Sequence, residues 1–186
     1  LSFWSHVMIT TLFDAQGYGS YFATKKLIRW LRKENPDIIH LHNLHGYYLH
    51  IPTFCRYLRD EYQGKIFWTF HDCWPVTGHC AYFTSANCDK WKYGCQQCPK
   101  KTEYPISFFM DGSKRNFKMK KKWFAAIPNL TIIAPSEWVK DIVKQSFLKD
   151  RRIKVINNGI DLTVFRPEKN ENVWKKYGVP LNRKIL

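Results

Sequence analysis

Apolar residues recur along the chain with two different periods, which separate predicted helices from predicted strands. Helical spacing of apolar positions predicts helices over 20–35, 50–62 and 113–127, and a further helix capped by Ser136. Short apolar runs between them predict buried strands at 37–41, 66–70, 130–134 and 153–156. Before Ser20 the pattern is weak and predicts no regular element. The alternation of helix and strand predicts an α/β domain.

The predicted strands are too apolar to be half exposed, which favours a parallel sheet with helices on both faces. A chain of 186 residues is long enough for one such domain with a core, and too short for two. The stretch between the second strand and the helix at 113–127 carries most of the cysteines and is interpreted as a cysteine-rich loop insertion. No run of eighteen apolar residues predicts a membrane span.

Charge adds a preference for anionic partners. Lys and Arg number 30 against 15 Asp and Glu, a formal net charge of +15. Much of the excess lies on the predicted helix at 113–127, where a solvated face and an anion-facing patch are equally good interpretations. Charge alone does not choose among nucleic acid, nucleotide phosphates, a lipid diphosphate and a membrane surface.

The spacing Cys80-x7-Cys88-x6-Cys95-x2-Cys98 offers four thiolate ligands, the last pair with the spacing of a zinc knuckle. Four thiolates would form a structural zinc site that orders a long loop with little apolar material of its own. Buried free thiols and disulfides are the alternatives. Metal binding is favoured because no charged-then-apolar segment indicates secretion, so we expect an intracellular protein, where thiols stay reduced.

Polar residues directly follow two of the predicted strands. His40 and His42 stand two apart at the end of one strand, and His71 and Asp72 follow the next. The carboxyl ends of parallel strands are where open α/β sheets bind their ligands. These four residues suggest a metal-dependent hydrolase as one alternative function, although hydrogen bonds to loop backbone would also explain them. A zinc-knuckle nucleic-acid-binding module is the other alternative, based on charge and aromatic content.

Several segments together resemble a known family. They are PDIIHLHN (36–43), WTFHDCWPVTGHCAYF (68–83), CDKWKYGCQQCP (88–99), APSEWVKDIV (134–143) and VINNGIDLTVFRP (155–167). They resemble the amino-terminal, acceptor-side domain of bacterial family 4 glycosyltransferases of the GT-B fold. The members most similar act in exopolysaccharide, colanic-acid-like and lipopolysaccharide assembly.

The resemblance implies a Rossmann-like sheet and retaining transfer of a sugar from a nucleotide-diphosphate donor, without a catalytic metal ion and without nucleic acid. It implies catalytic roles for two residues. His71 would contact the donor sugar or the charge developing at its anomeric carbon, and Asp72 would orient that histidine or an acceptor hydroxyl. The implied substrate-binding residues are His42, Asn43, Asn158, Gly159 and Asp161.

The resemblance also implies an organisation. Residues 1–167 correspond to a partial amino-terminal domain, and 168–186 to a linker with the first residues of a nucleotide-sugar-binding domain that is missing. We therefore expect a fragment that is inactive alone. Its expected location is cytoplasmic, with peripheral contact at the inner face of the membrane, where it would meet a saccharide or lipid-linked acceptor.

Overall fold

The computed structural model describes residues 2–166, 175–178 and 180. The helices and strands are α1 (Ser2–Phe13), α2 (Tyr21–Glu34), β1 (Ile38–Leu41), α3 (Ile51–Asp60), β2 (Lys65–Thr69), α4 (Lys90–Tyr93), α5 (Ser113–Phe124), β3 (Leu130–Ala134), α6 (Glu137–Lys144) and β4 (Arg152–Val155). Single 3-10 turns lie at Trp74–Val76 and Thr84–Ala86. The predicted linker at 168–186 falls mostly outside the described residues.

The four strands are parallel and follow one another across the sheet in chain order. Right-handed crossovers in such a sheet place the connecting helices on one face. The row Leu41, Trp68 and Ile132 crosses the sheet on this face and is buried. The α/β class and the parallel sheet are confirmed. Helices were expected on both faces; in the described residues the opposite face leaves Ile38 53% exposed and Lys154 exposed.

The helix α1 was not predicted. Its apolar residues point in all directions: Phe3, Trp4 and Met8 are exposed, whereas the polar His6 and Thr10 are buried. An apolar stripe with helical period therefore never forms, and a search for periodicity has no signal to detect. None of the described helices is long and apolar enough to cross a membrane.

The serines that precede α6 and α2 have different roles. The Ser136 hydroxyl accepts a hydrogen bond from the Val139 N–H at 3.3 Å and caps α6 as predicted. Ser20, the residue before α2, makes no side-chain cap hydrogen bond to that helix. It adopts a left-handed backbone with φ of 58°, and its hydroxyl donates to the Tyr47 carbonyl at 3.0 Å instead. Ser20 thus ties the start of α2 to the loop that follows β1.

Candidate active site

Two of the predicted site residues meet at the carboxyl edge of the sheet. His42 follows β1 and His71 follows β2, and the parallel pairing of these strands brings the rings together. His42 Nδ1 lies 2.9 Å from His71 Nε2, and the ring planes are 17° apart with centroids 5.2 Å apart. Because two ring nitrogens in contact share a single proton, one ring donates and the other accepts. Both residues are exposed to solvent.

A third histidine ring lies beside this pair, and the three rings form a row. The His40 ring centroid lies 4.3 Å from that of His42, and His40 Nε2 contacts the Thr69 hydroxyl at 2.9 Å. Burial lowers the pKa of His42, and charge on His40 and His71 lowers it further. His42 is therefore neutral near neutral pH, and its ring is available to share a proton with His71.

The side chain of Asp72 points away from this histidine row. Its Oδ1 accepts the Trp74 N–H at 2.8 Å, which closes the turn after β2. Its Oδ2 lies 2.9 Å from His45 Nε2, and His45 Nδ1 lies 3.0 Å from the Tyr104 hydroxyl. The Asp72 and His45 side chains are only about a tenth exposed. No spacing or periodicity singles out His45 or Tyr104, which come from other loops.

Aromatic side chains hold the backbone of these loops. The buried Trp68 indole N–H donates to the His42 carbonyl at 2.8 Å. The Tyr48 hydroxyl donates to the Asn43 carbonyl at 2.9 Å, and the Tyr82 hydroxyl to the His71 carbonyl at 3.3 Å. The loop carrying Asn43 and the turn carrying His71 are thus fixed from their main chains, leaving the imidazoles exposed.

A buried polar layer lies beneath the turn after β2. The Lys120 ammonium, from α5, donates to the Trp74 and Thr77 carbonyls at 2.8 and 3.0 Å and lies 3.5 Å from the centre of the Trp74 ring. Burial lowers the pKa of Lys120 to about 7, although the nearby Asp14 carboxylate opposes the shift.

The same layer reaches the end of α1. The Trp74 indole N–H donates to the Gln16 side-chain carbonyl at 2.6 Å, and Gln16 donates to Asp14 at 2.6 Å. Asp14 also lies 2.8 Å from His79 Nδ1 and accepts the Gly112 N–H at 2.8 Å. Burial lowers the pKa of His79, but the hydrogen bond and charge of Asp14 outweigh it, so the net shift is upward. The Asp14 carboxylate therefore favours the protonated form of His79 inside the protein.

The four clustered cysteines line one small pocket together with Phe83 and Trp91. The Cys95 sulfur accepts the Gly78 N–H at 3.1 Å, and the hydrogen bond between Cys80 and Cys98 lowers the pKa of Cys80 and raises that of Cys98. All six cysteines are free.

The structure gives no support to the predicted zinc site at Cys80, Cys88, Cys95 and Cys98. Across residues 2–166, 175–178 and 180, no three His, Cys, Asp or Glu side chains are grouped to hold a metal ion. The same finding applies to His40, His42, His71 and Asp72, whose imidazoles stack in a row while the carboxylate turns aside. The interpretation as a metal-dependent hydrolase is therefore unsupported, as is the zinc-knuckle module.

The remaining predicted residues lie elsewhere along the same edge. Asn158, Gly159 and Asp161 follow β4, two strands away from β2, and are exposed. The Asp161 carboxylate accepts the Thr163 N–H and hydroxyl at 2.8 and 2.6 Å, which forms a local turn. At about 4.8 Å per strand, this turn is on the order of 10 Å from the His71 turn.

Sequence comparison identifies the class of protein to which this fold belongs. The model of glycosyltransferase family 4 matches residues 4–164. The chain therefore belongs to glycosyltransferase family 4. It is 31% identical over 164 residues to the putative colanic acid biosynthesis glycosyl transferase WcaC of Escherichia coli (strain K12). That match covers 85% of this chain and 39% of that protein, and no solved structure matches significantly.

Proposed function

We propose that the chain is the acceptor-side part of a retaining glycosyltransferase. The enzyme would move a sugar from a nucleotide-diphosphate donor to a cell-surface polysaccharide or lipid-linked acceptor. The observation that carries the proposal is the exposed His42–His71 pair at the carboxyl edge of a parallel sheet, in a chain that belongs to glycosyltransferase family 4. The name of the colanic acid relative supports a polysaccharide acceptor.

His71 is the proposed catalytic residue. His42 engages its Nε2, while its Nδ1 has no hydrogen-bond partner in the described part of the chain. The free nitrogen can donate to a sugar hydroxyl or to a phosphate oxygen that gains charge as the glycosidic bond breaks. Proton sharing with His42 lets this imidazole meet that charge, so the proposed step assigns no role to a catalytic metal ion.

Asp72 is proposed as a positioning residue. Both of its oxygens are engaged, one by Trp74 and one by His45, so it acts on His71 through the backbone of the turn. His42 and Asn43 on one loop, and Asn158, Gly159 and Asp161 beyond β4, are the proposed substrate-binding residues along the edge.

The proposed location is the cytoplasm, in peripheral contact with the inner face of the membrane. A formal net charge of +15 supports attraction to anionic lipids. A lipid-linked acceptor would be met at this surface, and the proposed partners do not include nucleic acid.

Binding by the chain itself provides the test. Histidine side-chain resonances would be followed by NMR while a polyprenyl-diphosphate-linked saccharide, and separately a panel of nucleotide-diphosphate sugars, is added. We expect the acceptor to shift the His71 and His42 ring signals and to bind at least tenfold more weakly to His71→Ala. The control is His50→Asn, which keeps a side-chain cap on α3. Acceptor binding that is absent, or that His71→Ala leaves unchanged, would refute the proposal.

A further inference from the structure

The outer side of α2 combines exposed aromatic and cationic residues. The helix is buried through Thr24, Ile28 and Leu31. On the opposite side Phe22 is 81% and Trp30 56% exposed. The exposed cations that share this side are Lys25, Lys26, Arg29 and Lys33. We call these six exposed residues the α2 outer face.

The cations of the α2 outer face are not neutralised by the protein. Among the described residues, none of the four forms an ion pair. Arg32 of the same helix differs, because it lies 2.7 Å from the Glu61 carboxylate. Unpaired cations on one helix face attract an extended anionic surface more strongly than paired ones do.

The aromatic residues decide between two kinds of anionic partner. Tryptophan and phenylalanine between lysines and arginines on one helix face are typical of helices that lie in the membrane interface, with rings at headgroup depth. Single-stranded nucleic acid instead binds in grooves that track its backbone, and one exposed helix face offers no groove. The basic outer side of α5, with Lys114, Lys118 and Lys121, has cations but no exposed aromatic residue.

The α2 outer face begins beside the candidate active site. The Ser20 hydroxyl, one residue before the helix, donates to the Tyr47 carbonyl. The Tyr47 ring lies 6.3 Å from the Tyr104 ring. The Tyr104 hydroxyl contacts one ring nitrogen of His45, and the other ring nitrogen of His45 contacts the Asp72 carboxylate. A membrane on α2 would therefore lie near the entrance to the strand edge.

We propose that the α2 outer face docks on an anionic lipid bilayer, with Phe22 and Trp30 inserted between headgroups. The inference deepens the proposed function, on which it rests only for the idea that the acceptor is lipid-linked. It assigns the membrane contact to α2 and not to α5, whose charge pattern fits a solvated face and an anion-facing patch equally well.

Vesicle sedimentation tests the proposal with the chain as it stands. Binding would be measured to vesicles of phosphatidylcholine alone and of phosphatidylcholine with phosphatidylglycerol. We expect binding only to the anionic vesicles, with a loss of about tenfold or more for Lys25→Glu combined with Arg29→Glu. The control, Lys114→Glu combined with Lys118→Glu, makes the same change of charge on α5 and should lose much less.

A second pair of variants separates insertion from charge. Phe22→Ser combined with Trp30→Ser should weaken binding about tenfold. Phe108→Ser combined with Phe109→Ser removes two equally exposed rings elsewhere and should have little effect. Equal losses in test and control, no binding of the unmodified chain, or binding of single-stranded DNA in place of vesicles would each overturn the proposal. The vesicle experiments do not measure sugar transfer or acceptor binding. Their failure would therefore overturn this inference and leave the proposed function to its own test.

Discussion

Lys120 gives the sharpest prediction about stability. The residue is fully buried, and burial lowers its pKa to about 7 from an ordinary value near 10.5. Between these two values the unfolded chain binds a proton that the folded chain does not, so stability rises with pH. The gain is about 1.4 kcal/mol per pH unit at full slope, and about 2 kcal/mol between pH 7 and pH 9. Below about pH 6 both states are protonated and the contribution levels off.

Lys120→Met removes the titrating amino group and keeps a side chain of similar length. Two carbonyls lose their donor, at a cost of about 1–3 kcal/mol each that does not vary with pH. The free energy of unfolding would be measured by urea titration, followed by tryptophan fluorescence, from pH 6 to pH 9. Relative to the variant, the natural chain should gain about 2 kcal/mol over the upper two units. Lys118→Met, on the exposed side of α5, is the control. If the free energy of unfolding varied with pH in the same way for the natural chain and for Lys120→Met, the lowered pKa of Lys120 would be refuted.

Three further predictions address other parts of the site. Asp14→Asn should lower the free energy of unfolding by about 3 kcal/mol, because the buried His79 ring and the Gly112 N–H both lose the carboxylate that they contact; a loss below about 1 kcal/mol would contradict this pair. In an NMR titration, His42 should lose its proton below the ordinary midpoint of about 6.5, and a midpoint above that value would be inconsistent with the stacked row. Elemental analysis should find no stoichiometric zinc, and all six thiols should react after unfolding; one zinc per chain would reinstate the prediction made from cysteine spacing.

The sheet and most of its helices could be predicted because their signals are local. Strands such as Leu130–Ala134 are short apolar runs, and α3 and α6 have clear apolar stripes. The helix α1 lacks a stripe and had no such signal. Lys120 is a different case: the interpretation of the charges at 113–127 as a solvated or anion-facing side does not hold for it, because it lies three residues after Phe117 and four before Phe124 on the buried side of α5. A lysine on an apolar stripe was a usable signal for a buried ammonium.

Part of the candidate site, the His42–His71 pair, could be predicted because its signal is also local. His42 and His71 each directly follow a strand, and parallel pairing then dictates that they meet. The partners of Asp72 could not be found in the same way. His45 is 27 residues away and Tyr104 lies 59 residues beyond His45, on loops whose path no periodicity describes.

The polar layer under the turn after β2 explains how a segment with little regular structure can carry a site. Between β2 and α5 the chain forms only short turns and the four-residue α4, so its own backbone hydrogen bonds cannot fix its shape. The missing order comes from outside the segment: Lys120 binds two of its carbonyls, and Asp14 binds His79 and the Gly112 N–H. Because these contacts hold the segment in place, the imidazole of His71 is not needed to stabilise it. A rigid base beneath an exposed imidazole is the arrangement that catalysis by a fixed hydrogen-bond donor requires.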